Sequence, residues 1–350
     1  MSFQKTGWGR VVATAVIALG IAGATAEVRA DEVEDFYSGN LLTILIGHPP
    51  GGSFDLYAQL AARHLGKHIP GHPDVVVQGM PGGGGSIAAA HFANKSPRDG
   101  SVIALIPESL AHTQLLEPEK SRWDVSEMRY IGRIADVTSV MAVRQGAPAQ
   151  TFEEMLTTPT NVSCSGRTTS SGQSGAVLRS LLGAKFNLVC GYDSATASIL
   201  AVFRGEADAT STVWTNWSVN YEQQLEAGEI KPVVQFGLKR LPDLPDVPTA
   251  MELTDDPAKK QALALFGAGG DLGRALLAPP EMPDDRFNAL AEAFTAMMND
   301  PEFLADAESK GIPLGYASAA EMKEILDGIF ATPPEVVELL KVSIEQGFDG

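Results

Sequence analysis

The 350-residue sequence is short of basic side chains and cysteines, and each shortage excludes a class of protein. Lys and Arg number 26 against 43 Asp and Glu, which gives a formal net charge of −17. Nucleic-acid binders contact phosphates through clustered Lys and Arg, so this balance argues against them. The two cysteines form no CxxC motif, which argues against zinc and redox sites of that type. The chain is 44% hydrophobic and 20% charged, the composition of a folded protein, and its length favours two domains.

The first thirty residues have the pattern of an export signal. A lysine and an arginine within the first ten residues are followed by an apolar stretch at 11–23. Small residues typical of a cleavage site end at Ala26 and again at Ala30. The apolar stretch is shorter than the roughly 20 residues of a membrane span. We therefore expect residues 1–30 to be a cleaved signal peptide and the mature protein to be soluble and periplasmic.

The two cysteines, Cys164 and Cys190, each end a strand-like run, and one helical stretch separates the two runs. In an oxidising compartment, cysteines on neighbouring parallel strands come within reach of a disulfide. Bridges between strands need a specific geometry, however. The sequence therefore favours two buried free thiols, with a disulfide as the alternative.

Strand-like and helical patterns alternate in the first third of the chain. Short β-rich runs at 43–46, 75–77 and 101–106 are separated by helical patterns at 55–67 and 86–94. Two successive βαβ units predict a parallel sheet whose ligand site lies at the carboxyl ends of the strands. The fold class that follows is α/β.

A second βα series begins after Pro148, and a Pro-rich connector closes it at residues 241–249. Each series is about one domain long, so we expect two α/β lobes with a ligand cleft between them. The expected division places residues 31–140 and 250–350 in the first lobe and residues 141–249 in the second.

Two glycine-rich loops each join a predicted strand to a predicted helix. The first contains Gly52, Ser53 and Asp55, and the second runs from 81 to 86. Glycines let main-chain N–H groups point outward, and the helix that follows adds about half a positive charge. Such loops bind a carboxylate or phosphate without Lys or Arg, and Ser53 and Ser86 add hydroxyl donors. Glycines also serve in simple tight turns, but two such loops on consecutive βα units predict an anion site.

Neither loop matches a nucleotide-binding motif. A Walker loop ends in Gly-Lys-Ser/Thr, and a dinucleotide fingerprint reads GxGxxG with an acidic residue after the next strand. Both patterns are missing. The sequence predicts no cofactor.

All six histidines lie in the first third of the chain, and His64, His68 and His72 are spaced by four residues. That spacing would form a metal-binding stripe on one helix. Pro70 and Gly71 interrupt the helix, however, and no Cys or paired carboxylate joins the group. Solvent-facing histidines are the favoured interpretation, and a metal-binding receptor is the alternative.

Ser174 lies in a segment, residues 172–176, that approaches the GxSxG elbow of serine hydrolases. The last glycine is missing, and the preceding strand ends several residues earlier. A hydrolase or transferase that uses Ser174 is therefore an alternative only. The Ser- and Thr-rich stretch at 163–174 is better explained as a source of neutral hydroxyl donors for a ligand.

Trp214 and Trp217 follow a predicted strand that ends at the cleft. They are placed to stack on a ligand, and Trp214 is a candidate contact. Aromatic residues three apart on a helix also pack into a core, and this is the favoured interpretation.

The order of these motifs resembles one family, the Bug (TctC-like) extracytoplasmic solute receptors of tripartite tricarboxylate transporters. The resemblance covers nearly the whole chain after the leader. The motifs that carry it are PGGSxD at 50–55, PGGGG at 81–85, PRDG at 97–100, GEADA at 205–209 and LPDVPT at 244–249.

This resemblance implies a type II periplasmic-binding-protein fold, in which two lobes joined by two crossovers close on a small di-, tri- or aromatic carboxylate. It implies a receptor without enzymatic activity, served by a membrane permease, and we expect a monomer. The positions that match the family's proximal carboxylate site are Gly52, Ser53, Asp55, Gly83, Gly84 and Ser86. Those similar to its distal contacts are Ser109, Ser170 and Ser174.

Three segments depart from the family pattern. Asp193 stands where the family usually has a basic residue. Residues 212–218 form a longer loop that contains both tryptophans. Residues 266–271 stand where the family has a segment that contains a tryptophan. The distal pocket is therefore expected to differ from that of a citrate receptor.

Overall fold

The computed structural model describes residues 1–2, 32–167 and 169–349. Apart from its first two residues, the predicted signal peptide lies outside the described residues, as do both predicted cleavage sites. Within these ranges, no helix has the length and apolar character that a bilayer crossing requires.

The described elements alternate between strand and helix over most of the chain. The strands are β1 Leu41–Ile46, β2 Asp74–Gly79, β3 Val102–Leu105, β4 Arg129–Ala135, β5 Ser139–Arg144, β6 Thr160–Cys164, β7 Phe186–Cys190, β8 Ala209–Val213, β9 Ile230–Phe236, β10 Arg274–Ala278 and β11 Ala317–Ser318. The helices are α1 (residues 32–37), α2 Ser53–Leu65, α3 Ser86–Asn94, α4 Ser109–Leu116, α5 Phe152–Met155, α6 Ser170–Leu182, α7 Ala195–Phe203, α8 Trp214–Asn220, α9 Glu222–Glu226, α10 Pro257–Leu272, α11 Asp284–Met298, α12 Pro301–Ser309, α13 Ala319–Phe330 and α14 Pro334–Gln346.

The strands form two sheets that share one strand plan. The first sheet has the order β11-β4-β10-β3-β1-β2, and the second has the order β7-β6-β8-β5-β9. In each sheet three parallel strands are followed by an antiparallel strand, β10 in the first and β5 in the second. The predicted α/β lobes and the parallel β1, β2 and β3 are confirmed. Both sheets are mixed, because their fourth strands are antiparallel to the strands beside them. Local sequence patterns do not report these pairings, since each joins segments far apart in the chain.

The chain crosses between the sheets through the short link from β4 to β5 and returns through α10 to β10. The glycine-rich end of α10 packs on both crossovers. A Cβ added to Gly267 would lie 3.1 Å from the Gly237 nitrogen, and one added to Gly270 would lie 3.2 Å from the Thr138 Cα. Glycine weakens a helix by about 1 kcal/mol relative to alanine. Here its missing side chain allows backbone-to-backbone packing.

Two segments that depart from the family pattern are helical in the structure. Residues 214–218 of the longer loop belong to α8, which begins three residues before the helical pattern at 217–227, and residues 266–271 belong to the end of α10. Helix α6 also begins earlier than its apolar pattern, which starts at Gly175. Its N-cap is Thr169, whose Oγ1 accepts a hydrogen bond from the Gly172 nitrogen at 3.4 Å. Ser170 and Ser174 therefore lie in the first turns of a helix.

The interpretation of the two cysteines as free thiols is wrong, because Cys164 and Cys190 form a disulfide. They are the last residues of β6 and β7 and face each other in the parallel register. Their Cα atoms are 4.4 Å apart. Pairing of the two strands supplies the geometry that the sequence left open.

One cluster of buried apolar side chains extends across both sheets and the C-terminal helices, and it includes Leu45, Val143 and Leu340. Helix α14 packs tightly on α6 at the end of the chain. A Cβ added to Gly347 would lie 2.3 Å from the Ala176 carbonyl oxygen. The C-terminal segment is therefore tied to the helical layer of the second sheet.

Candidate ligand site

A cavity of about 150 Å³ lies between the two sheets, where β3, β8 and β9 end. The βα alternation predicts a ligand site at this edge. The cavity is smaller than the roughly 300–1,000 Å³ of pockets for drug-sized molecules. Its polar side chains are Glu108, Ser109, His112, Ser139, Ser170 and Gln173. Its apolar side chains are Leu116, Val137, Val213, Phe236, Phe266 and Ile344.

The first glycine loop leads from β1 into α2. Gly52 precedes the helix in an extended conformation, and Ser53 is the first helical residue. The Asp55 carboxylate accepts a hydrogen bond from the Gly51 nitrogen at 2.8 Å. Asp55 therefore fixes the shape of its own loop.

The second glycine loop leaves the same sheet edge, because β1 and β2 are paired in parallel to their last residues. Gly84, with φ of +63°, has open space at the position of a Cβ. Gly85, with φ of +93°, is close-packed, and a Cβ there would lie 2.5 Å from Pro107 Cγ. Only glycine fits at this position. The second loop therefore packs against the segment that leads into Glu108 and the cavity wall.

Arg274 connects the first glycine loop to the cavity. It begins β10 and is only 9% exposed. Its Nε donates a hydrogen bond to Ser53 Oγ at 3.1 Å, and its Nη1 donates to Glu108 Oε2 at 2.5 Å. The guanidinium carbon lies 3.9 Å from the ring centroid of Phe54. A buried cation thus stands at the edge where an anion was predicted.

Sequence reasoning missed Arg274 and Glu108 as site residues. The local signal for Arg274 is one charge at the start of an otherwise apolar strand, Arg-Ala-Leu-Leu-Ala. The two residues are 166 positions apart in the chain. Only the antiparallel pairing of β10 with β3 brings them together.

The two histidines near this ion pair are neutral at neutral pH. Burial, reinforced by the Arg274 charge, lowers the pKa of His48, whose ring stacks on Phe54 at 4.1 Å between centroids. Burial also lowers the pKa of His112, whose Nε2 donates to the Leu265 carbonyl oxygen at 2.5 Å. Within the described ranges no Lys or Arg lines the cavity. Glu108 is therefore the acidic side chain of a wall that is otherwise uncharged.

Eight of the ten predicted site residues fall into three groups. Ser109 and Ser170 line the cavity. Ser53 reaches it through Arg274 and Glu108. The other predicted loop residues follow β1 and β2 on the same edge of the first sheet, but they are not part of the cavity lining; they are Gly52, Asp55, Gly83, Gly84 and Ser86.

Ser174 and Trp214 lie outside the cavity lining. Ser174 is fully buried, and its Oγ has no hydrogen-bond partner in the described part of the chain. A serine nucleophile needs a base within hydrogen-bond reach, so this position gives the hydrolase alternative no support. The Trp214 indole donates to Asp243 at 2.9 Å. Trp217 is fully buried and donates to the Val140 carbonyl oxygen, as the core interpretation predicts.

Two of the three histidines of the alternative metal stripe, His64 and His68, contact carboxylates of α12 and its N-cap. His64 Nε2 lies 3.0 Å from Asp306, and His68 Nε2 lies 3.0 Å from Asp300. Lys67 also pairs with Asp300. A search of the described residues finds no group of three or more His, Cys, Asp and Glu side chains placed to hold a metal ion.

Comparison with known families agrees with this architecture. Residues 58–331 match the model of the tripartite tricarboxylate transporter family receptor, TctC. The chain belongs to this receptor family. Receptors of this family are periplasmic and work with membrane transporter components, and their class is solute binding rather than catalysis.

Two curated relatives belong to the same group. One is the UPF0065 protein in the TAR-I ttuE-ttuC' intergenic region of Agrobacterium vitis, 27% identical over 90% of this chain and 87% of the relative. The other is BugT of Bordetella pertussis, 30% identical over 39% of this chain and 42% of the relative.

Solved structures of the group confirm the fold. A TctC solute-binding protein from Polaromonas is 18% identical, with a TM-score of 0.69, over 89% of this chain and 99% of that chain. The periplasmic binding protein BugD is 20% identical, with a TM-score of 0.57, over 88% and 98% of the two chains. Together with the shared strand order of the two sheets, these structures confirm the predicted type II periplasmic-binding-protein fold.

Proposed function

We propose that this receptor captures a small carboxylate in the cavity between its two sheets and presents it to a membrane permease. The observation that carries the proposal is the buried Arg274, which joins the first glycine loop to the cavity wall through Ser53 and Glu108. A buried guanidinium beside a glycine loop at a helix N-terminus is chemistry that binds a carboxylate. Two structures of similar fold support the ligand class, since Rpa4515 of R. palustris was solved with adipate and MatC of Rhodopseudomonas palustris with malate.

The proposed site has a proximal and a distal part. In the proximal part, main-chain donors of both glycine loops and the Ser53 and Ser86 hydroxyls hold one carboxylate, and Asp55 supports the first loop. In the distal part, Ser109 and Ser170 contact the rest of the ligand from opposite sides of the cleft. Ser174 lies one helical turn behind Ser170.

Ligand capture proceeds by closure of the two lobes about the crossovers. The ligand touches both lobes only in the closed form, so its differential affinity shifts the population toward that form. The lobes of this proposal comprise residues 31–140 with 250–350 and residues 141–249. The glycine-rich end of α10 packs on both crossovers. The two lobes move relative to each other at this point.

The receptor acts as an exported monomer that binds its ligand without transforming it. Export requires removal of the signal peptide after Ala26 or Ala30. The intact mass of the protein purified from periplasm tests this, because each site gives a different mature mass. A mass that retains residues 1–30 contradicts the export proposal.

A ligand screen tests the proposed function directly. The mature protein is heated with aliphatic mono-, di- and tricarboxylates, aromatic carboxylates and divalent metal ions, and its unfolding temperature is recorded. Because a ligand that binds only the folded state stabilises it, a carboxylate is expected to raise this temperature. Stabilisation by metal ions alone, or by no carboxylate in the screen, contradicts the proposal.

A further inference from the structure

We propose that the ligand carries a single carboxylate on an apolar body, and that Glu108 excludes ligands with a second carboxylate. The inference rests on the proposed function and narrows its ligand class. It depends on the charge inventory of the cavity and on the position of the Arg274–Glu108 ion pair.

The cavity offers a second carboxylate no cation. Its wall contains Glu108, neutral histidine, hydroxyl and amide groups, and six apolar side chains, and no Lys or Arg of the described residues lines it. A second carboxylate there would lose hydration and find hydroxyl and amide donors but no partner of opposite charge. The cavity therefore suits the apolar part of a ligand.

The guanidinium of Arg274 already has three partners within the protein. Glu108 accepts from its Nη1, Ser53 accepts from its Nε, and Phe54 covers its face. The side chains of Arg274 and Glu108 are only 10% and 23% exposed, so solvent screens this pair weakly. One ligand carboxylate at the glycine loops can share the guanidinium and the main-chain donors.

A second carboxylate that enters the cavity meets a wall that includes Glu108. The cavity is small, with a volume of about 150 Å³. Juxtaposed like charges cost several kcal/mol in poorly solvated interfaces. Glu108 thus acts as a specificity-determining residue, since it neutralises Arg274 and repels a dicarboxylate.

Matched pairs of acids test this inference. Isothermal titration calorimetry of the mature wild-type protein compares hexanoate with adipate and benzoate with terephthalate, so that each pair differs by one carboxylate. We expect each monocarboxylate to bind at least about tenfold more tightly than its dicarboxylate, as the like-charge cost implies. Tighter binding of adipate and terephthalate overturns the inference and leaves the proposed function standing. Failure of every carboxylate in the wider screen removes the proposed function itself.

The Glu108→Gln variant tests the role of the residue. It keeps the side-chain size, removes the negative charge and releases Arg274, so the preference for hexanoate over adipate should fall by at least about tenfold. Glu119→Gln, the same change at an exposed position nearby, should leave the preference unchanged. An unchanged preference in folded Glu108→Gln contradicts the role. If that variant does not fold, the wild-type comparison still decides whether dicarboxylates are excluded.

Discussion

The two sheets have the same strand plan but present different chemistry at their cleft edges. In the first sheet, the paired ends of β1 and β2 lead into the glycine loops, and the neighbouring strands contribute Arg274 and Glu108. In the second sheet, β6 and β7 occupy the equivalent positions, and their paired ends are Cys164 and Cys190, closed by a disulfide. The second sheet lines the cavity with hydroxyl, amide and apolar groups.

This difference shows that two sheets of the same topology can have different functions, one in binding a carboxylate and the other in forming a wall of the cavity. The first edge has main-chain donors and one buried cation, which are the groups that hold a carboxylate. The second edge is covalently fixed, and the groups that it contributes to the cavity are uncharged, which suits a wall against which a ligand body closes. Shared topology therefore does not predict shared chemistry, because the residues after equivalent strands differ.

The largest expected effect comes from removing the cation of the first edge. Arg274→Met leaves the half-buried Glu108 without its partner, and breaking a poorly solvated pair costs about 3 kcal/mol of folding free energy. We expect this loss in urea unfolding, together with loss of carboxylate binding. Arg63→Met, which removes an exposed partner of Asp306, should cost less than about 1 kcal/mol. Equal losses of folding free energy in the two variants would show that the Arg274–Glu108 pair stabilises the fold no more than the exposed Arg63–Asp306 pair.

The second expected effect concerns the covalent closure of the second edge. The disulfide joins residues 26 positions apart, and a loop of this length is worth about 3 kcal/mol in the chain-entropy model. A double Cys164→Ala, Cys190→Ala variant should unfold at lower urea concentration and keep the wild-type preference among carboxylates. Dithiothreitol should destabilise the wild type and leave the double variant unchanged. A changed ligand preference would show that the second edge helps to recognise the carboxylate.

A smaller effect on stability, with a clear effect on binding, is expected at the second glycine loop. Gly84 and Gly311 have nearly the same φ, +63° and +60°, and open space at the Cβ position. Leucine at either position should cost about 1 kcal/mol of folding free energy, because L side chains disfavour this conformation. Only Gly84→Leu should weaken carboxylate binding. If Gly311→Leu weakens binding equally, the loop assignment loses its support.

The smallest effect is expected at Ser174, behind the second edge. Its Oγ is buried and unpartnered among the described residues, so Ser174→Ala should change the folding free energy by less than about 1 kcal/mol. Carboxylate affinity by calorimetry should stay at the wild-type value. A loss of affinity would place Ser174 among the ligand contacts and make the two edges more alike.

Local patterns were sufficient where sequence neighbours decide the structure. Helix α3 Ser86–Asn94 has the bounds that its pattern predicts, and both glycine loops leave the predicted edge. Helix α10 was missed, because Gly267, Gly269 and Gly270 weaken its helical signal. Their close packing on the crossovers and on His112 explains why glycine is there. That reason lies in residues far away in the sequence.

The sequence by itself determined the α/β alternation, the two glycine loops and the membership of a receptor family, because each depends on short motifs in a fixed order. Tertiary structure alone decided the pairing of Cys164 with Cys190 and the meeting of Arg274 with Ser53 and Glu108. Arg274 is 221 residues from Ser53 and 166 from Glu108. Contacts over such distances depend on strand pairing between remote segments, and only the folded sheets bring those side chains together.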